Sequence, residues 1–378
     1  MTAGGEASAE QRALLAASVD DFVARGTDIA RVRKLRGTAG EYDRLVWNKM
    51  AELGWLSILV PEQYGGLGLG LTEMAIVAQG LARALAPEPL TASAVLATTA
   101  LARGKNEALK HAELPRLAAG EVLSALAWQE EPGTLNAASP RARATPFEGG
   151  YKLNGTKRFV AGAAQADAFL VSADSPAGLA LFWVPRDAAG AALTQEPLAD
   201  GRSSGTLVLT DALVPQAQLV ASGAAAQDAL ETALDHARAI AAAELCGVMS
   251  RALEMTLDYL KTRVQFGKPI GSFQALQHRA VDLHIQKELS SAVLQEALAQ
   301  LDRGPDAPSR AVIASRVKAR CSDAALRITR ETIQLHGGIG FTDEHDIGLY
   351  LKRALTVAAW LGNASAHRRR YAALTEAG

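Results

Sequence analysis

Three short stretches combine residue types able to hold an anionic or flat ligand. In "RVQFGKPIGSFQALQ", Arg263 to Gln277, an arginine closes one helical pattern beside a Gly-Lys-Pro turn. A guanidinium held there can grip a pyrophosphate through paired hydrogen bonds. Gln274 opens the next helical pattern and can donate or accept. In "QLHGGIGFTDEHDIGLYLKRA", Gln334 to Ala354, three glycines at 337, 338 and 340 let the backbone approach a phosphate closely. That turn does not follow a strand, so it is not the dinucleotide fingerprint of a βαβ unit. "EEPGTLNAAS", Glu130 to Ser139, could present amides and hydroxyls to a flat ring. Read singly, each stretch is equally a turn between helices or a surface loop.

The elements that must position these stretches fall into three segments. Residues 1–123 read as an N-terminal α-helical domain. "YDRLVWNKMAELGWL" spaces Leu45, Val46, Met50, Leu53 and Leu56 near a 3.6 period. The Gly-rich loop "VPEQYGGLGLG" precedes a second helix, for which Thr72 is the N-cap candidate and which Pro87 and Pro89 stop. Residues 124–221 read as a middle β domain, a sandwich or small barrel. There "GYKLNGTKRFVAGA" predicts two short strands about an Asn154-Gly155 turn, and "DAFLVSA", "LALFWVP" and "GTLVLTDALVP" predict more. Residues 222–378 return to helix. The run from Ala226 to Phe266 predicts one helix of about ten turns, and two more long helices break at "DRGPDAPS" and "HGGIG". Long helices with short connections predict an antiparallel four-helix bundle.

Bulk properties narrow the function classes. Of 378 residues, 49% are apolar, enough to bury a large core, and the formal net charge of -1 gives no field drawing the chain to nucleic acid. No apolar run reaches the roughly 18–20 residues needed to span a bilayer. "MTAGGEASAEQRALL" lacks the basic-then-apolar order of a signal peptide. The two cysteines, Cys246 and Cys321, read as buried free thiols in a reducing cytoplasm, and no His/Cys/Asp cluster has metal-ligand spacing.

Six stretches in this order resemble the acyl-CoA dehydrogenase family over nearly the whole chain: "ELGWLSILVPEQYGGLGLG", "ALAPEP", "EEPG", "NGTKRFV", "YLKTRVQFGKPIGSFQALQH" and "QLHGGIGFTDEHDIGLYLKRA". The resemblance implies an α, β, four-helix-bundle order, non-covalent FAD, an acyl-CoA substrate, an electron-accepting flavoprotein and dimers or tetramers. By resemblance Arg263, with Phe266 beside it, reaches the FAD diphosphate of a neighbouring subunit. Gln274 is the family's helix-start Gln. Gln334, Leu335, His336, Gly337 and Gly338 meet the adenine-diphosphate half of a flavin across the interface. "WQEEPGTLN" maps to the loop over the flavin ring, and Phe159, Val160 and Ala161 to the segment facing the isoalloxazine. Two departures stand out. The "GxGSD" usual after "EPG" is replaced by "TLNAAS", and the usual Trp-Ile-Thr/Ser is Phe-Val-Ala, which removes a hydroxyl. Leu81–Ala94 and Ala241–Met249 line the acyl cavity by resemblance, where Ala241, Ala242, Ala243 and Gly247 leave room for a bulky chain or simply pack helices.

The family's reaction removes a proton beside the thioester carbonyl while a hydride leaves the next carbon. Its base is a Glu whose pKa rises as the substrate excludes water. The usual seat maps to Leu361, in "WLG"; the alternative seat, on the long helix, maps to Ala237. Neither can accept a proton. Three readings follow: a partner subunit in a heteromeric enzyme whose other chain carries the Glu; a homomeric enzyme with a displaced base, Glu244 first and Glu231, Asp235 or His236 after it; or a family flavoprotein with other chemistry or only a binding role.

Overall fold

The computed structural model of the protein describes residues 8–26, 29–36 and 42–376. The opening residues, on which the signal-peptide reading began, lie outside these. Helices α1 (Ala9–Gly26), α2 (Ile29–Leu35), α3 (Arg44–Glu52), α4 (Leu71–Arg83), α5 (Thr98–Ala102) and α6 (Glu107–Ala118) come first. Capping explains two of their starts. Asp43 accepts from the Leu45 N–H at α3, and Asn106 accepts from the Leu109 N–H at α6. Helix α4 begins one residue before Thr72. Its first turn is closed instead by Glu73, whose carboxylate accepts from the Gly70 N–H at 3.0 Å. A seven-residue π-helical stretch, Thr91–Ala97, runs into α5 and is buried throughout.

Strands β1 (Ser124–Ala127), β2 (Arg143–Phe147), β3 (Gly150–Ala161), β4 (Ala168–Ser175), β5 (Gly178–Pro185), β6 (Ala191–Pro197), β7 (Ser203–Pro215) and β8 (Leu219–Ser222) follow. Among the described residues these eight form one sheet, in the order β6-β7-β3-β2-β4-β5-β8, with β1 beside β4. The expected turn at Asn154-Gly155 is absent, because β3 runs straight through it. The hairpin joining β2 and β3 instead pairs Phe147 with Gly150, across Glu148 and Gly149. Gly155 answers a different need. Its φ of 148° and an irregular register between Leu153 and Gly155 mark a bulge, and a Cβ there would lie 2.6 Å from that of Ala142.

Helices α7 (Gly223–Thr262), α8 (Gln274–Asp302), α9 (Ala307–His336), α10 (Ile347–Ala359) and α11 (Ala364–Glu376) complete the chain. Helix α9 starts where Asp306 caps the Ser309 N–H, with Pro308 in the first turn. It ends at Gly337, whose φ of 64° suits glycine. The chain folds as two compact units, 1–12, 34–74 and 87–237 in one, and 13–33, 75–86 and 238–378 in the other. The first carries the sheet and the second the long helices. Among the described residues no helix is long and apolar enough to cross a membrane, and no group of three or more His, Cys, Asp or Glu could hold a metal ion.

Candidate functional site

The helical unit gathers two of the chemistry-bearing stretches at the ends of its helices. Arg263 follows the last turn of α7, and its carbonyl accepts from the Ile270 N–H at 2.8 Å. A two-residue ladder, Val264–Gln265 with Lys268–Pro269, folds the chain back toward α8. Phe266 at its tip is 90% exposed with φ 52°, an unusual conformation for a bulky residue. Its ring meets Phe273 edge-on, and the Lys268 ammonium lies 4.4 Å from the Phe273 ring centre, so this hairpin is pinned beside Gln274. One turn before Arg263, Tyr259 stacks on His336 at 4.6 Å, and His336 touches His345 at 4.6 Å. These rings bring the end of α7 to the glycine turn at the end of α9.

Within that turn the residues divide by direction. Gln334, Gly337 and Gly338 are at the surface, whereas Leu335 and His336 are buried and fix the turn from below. His336 Nδ1 lies 2.7 Å from the Thr332 carbonyl, an acceptor, so that nitrogen carries the proton. Burial holds the His336 pKa below its ordinary value. A Cβ at Gly337 or Gly338 would meet nothing within 4 Å. This chain's own packing therefore does not demand glycine at 338, and the space above the backbone is open. An exposed guanidinium, an exposed aromatic and an uncovered glycine backbone suit a dinucleotide held mostly by another surface.

The sheet unit positions the Glu130–Ser139 loop and the Phe159–Ala161 segment. Lys157, fully buried, donates to Glu130 at 2.5 Å and to the Ser172 hydroxyl at 3.0 Å. Glu130 also accepts from the Arg141 and Ala142 N–H groups at 2.7 and 2.9 Å, which closes the loop that starts after it. Burial pulls the Lys157 ammonium down to about 8, while Glu130 acts to keep it charged. Burial pushes the Glu130 carboxyl up, but Lys157 and the Ala142 N–H outweigh it and hold it below its usual range. The Arg158 N–H donates to the Gln129 carbonyl at 2.7 Å, so the loop and the Phe159 segment share one anchor. Phe159 has φ 56° at a break in the β3–β7 register, with the Arg158 guanidinium 5.2 Å from its ring centre. Val160 is buried, and Ala161 carries a methyl and no hydroxyl. The sequence reading held Glu130 and Lys157 inside quoted stretches but missed their pairing, since 27 residues separate them.

The two positions to which the resemblance maps the base, Ala237 and Leu361, differ in kind. Ala237 is a buried alanine of α7. Leu361 lies in the turn between α10 and α11, 3% exposed, with φ 59°. Its carbonyl accepts from His367 Nε2 at 3.0 Å and Arg238 Nε at 3.4 Å. Lys318 donates to the Ala358 and Gly362 carbonyls at 3.1 and 3.0 Å and to Ser322 at 3.2 Å, three acceptors for the three N–H bonds of an ammonium. The turn is thus clamped through its backbone by three buried basic residues that the sequence reading did not single out. Burial, then the Arg238 charge, pulls Lys318 down to about 7, and Glu244 pushes the other way. Burial and the charges of Arg238 and Lys318 press His367 down to about 2, so it is neutral. Glu244 itself is half-buried on α7. Gly247, read as either room for an acyl chain or helix packing, packs against α4, where a Cβ would sit 2.3 Å from the Gln79 carbonyl oxygen.

Comparison with known proteins agrees with this architecture. Residues 8–121 match the acyl-CoA dehydrogenase N-terminal domain and residues 227–374 its C-terminal domain. The chain is 30% identical over 354 residues to the acyl-CoA dehydrogenase IpdE2 of Mycolicibacterium smegmatis, covering 93% of this chain and 95% of that one. Among solved structures it is similar to the ChsE4-ChsE5 complex from Mycobacterium tuberculosis, with TM-score 0.89, 30% identity, and 98% and 99% of the two chains covered. It is also similar to the Tcur3481-Tcur3483 steroid ACAD, with TM-score 0.88, 32% identity and 98% of each chain covered. A helical N-terminal segment, a middle β-sheet, a C-terminal set of long helices and these matches together place the chain in the acyl-CoA dehydrogenase family.

Proposed function

We propose that this chain is the subunit without the catalytic Glu in a heteromeric, FAD-dependent acyl-CoA dehydrogenase. The observation that carries the reading is Leu361, a buried leucine clamped by its backbone where the family keeps its base. The pattern of loss and retention supports it. The replaced residues, Leu361, Ala161 and the "TLNAAS" loop, are those that serve a chain's own flavin ring and substrate. The kept residues, Arg263, Phe266, Gln274 and the Gln334–Gly338 turn, are those that reach a neighbour's dinucleotide. Their exposure in the helical unit suits that use. FAD, when bound, accepts the hydride that leaves the acyl chain. Arg263 and the Gly337-Gly338 backbone would hold its phosphates, and Gln274 would orient it. The proton on the carbon beside the thioester would then be taken by a Glu of the homologous partner. Relatives described as heteromeric complexes or as steroid ACADs support a partner of this kind and a bulky, polycyclic acyl-CoA.

A homomeric enzyme using Glu244 is the second reading. It is favoured only by that residue's place on α7. The test is to purify the chain alone and together with a homologous Glu-bearing chain. The proposal expects FAD and dye-coupled acyl-CoA oxidation only in the pair. Robust turnover by the chain alone, lost in Glu244→Gln, would establish the second reading instead.

A further inference from the structure

Helices α7 and α9 each place one cysteine in the core of the helical unit. Cys246 and Cys321, 75 residues apart in sequence, hold their sulfurs 3.8 Å from each other. Both thiols are free and buried. Cys321 also lies 3.9 Å from the Ser290 carbonyl oxygen on α8, which can only accept. The protons therefore run in a chain: Cys246 donates to Cys321, and Cys321 donates to Ser290. Contact between sulfurs across two helices is not required by the proposed reaction, and any pair of small apolar side chains would fill the same space.

We infer that Cys246 and Cys321 form a reversible oxidation site, closed by a small peroxide into a disulfide that ties α7 to α9. The Cys321 thiolate attacks one peroxide oxygen, the O–O bond breaks, and water leaves with a proton, which gives a sulfenic acid. Cys246 then attacks that sulfur. The S–S bond forms, the hydroxyl departs as water with the Cys246 proton, and two thiols have been oxidised while one peroxide is reduced to two waters. The order of attack follows from the hydrogen bonds. The bond to Cys321, and burial after it, keep the Cys246 proton in place, which makes Cys246 the resolving thiol. Both cysteines are at most 1% exposed, so the oxidant that closes the pair must be as small as a peroxide. A reduced flavin that meets dioxygen supplies peroxide locally, which rests on the proposed FAD; added peroxide makes the test independent of it. The two helices joined are those whose ends carry Arg263 and the Gln334–Gly338 turn, so the link would brace both ligand-facing stretches from within the core.

The test treats the purified full-length protein, with its partner if it has one, with hydrogen peroxide, then denatures and alkylates it. The inference expects an intact mass lower by two hydrogen atoms, no alkylation at either cysteine, and a peptide joining Cys246 to Cys321. Dithiothreitol should restore both thiols, and the oxidised form should unfold at higher temperature than the reduced one. Two alkylated thiols after peroxide treatment would overturn the inference. So would oxygen added to a single sulfur without a link, or a link between two chains. Cys321→Ser should lose the mass change, and should it fail to fold the wild-type mapping still decides.

Discussion

At Leu361 two effects oppose. The left-handed backbone costs a non-glycine residue about 1–2 kcal/mol, whereas deleting a buried leucine side chain costs about 2–5 kcal/mol. Burial wins, so Leu361→Gly should lower stability by about 1–3 kcal/mol in urea unfolding despite relieving the backbone. His367 makes a second prediction at this scale. Its pKa is about 2 in the folded chain and ordinary when unfolded, so the unfolded chain binds the extra proton between those values. Stability from this group is full above about pH 6.5 and falls by about 1.4 kcal/mol per unit below it. His367→Gln should flatten the slope of unfolding free energy between pH 5 and pH 6.5. An unchanged slope would show that His367 is not held neutral. That residue 361 is a leucine and carries no proton acceptor was legible from residue identity alone. The clamp of Arg238, Lys318 and His367 was not, because basic residues 80 and 49 positions apart carry no periodic signal.

Helix and strand periods gave the element order, and close packing decided what they could not. Gly247 shows how. Gly→Ala within a helix normally gains about 1 kcal/mol, but here the new methyl would meet the Gln79 carbonyl at 2.3 Å. Gly247→Ala should therefore destabilise the chain by about 1–3 kcal/mol, the cost of overpacking, as read by thermal unfolding. Asn154-Gly155 is the matching case in the sheet. The dipeptide signals a turn locally, yet pairing with β2 and β7 carries β3 through it, and the glycine is spent on a bulge against Ala142. The Lys157–Glu130 pair holds the loop after Glu130 and strand β3 together. Glu130→Gln leaves a buried ammonium without its counter-charge and should cost about 3–5 kcal/mol. Adding Lys157→Met to it should recover part of that loss, and a double-mutant cycle reads the difference.

For the whole molecule, the order of segments and the family were legible because six stretches occur together at fixed order, though none is specific alone. The division into two compact units was not, since the sequence pattern changes at residues 124 and 222 while the packing boundary falls inside α7, between Ala237 and Arg238. The proposed role makes Arg263 serve a flavin whose chemistry belongs to the partner. Arg263→Ala should weaken FAD binding by the complex about 10- to 100-fold, the worth of a charge-assisted contact of about 1.5–3 kcal/mol, without altering the fold of this chain by circular dichroism. The most direct test of the central claim is flavin content and turnover of the chain co-expressed with a homologous Glu-bearing subunit. The account predicts one FAD per pair of chains and acyl-CoA oxidation that is lost when the partner's Glu is replaced by Gln. One FAD bound to every copy of this chain alone, with acyl-CoA oxidation in the partner's absence, would contradict it.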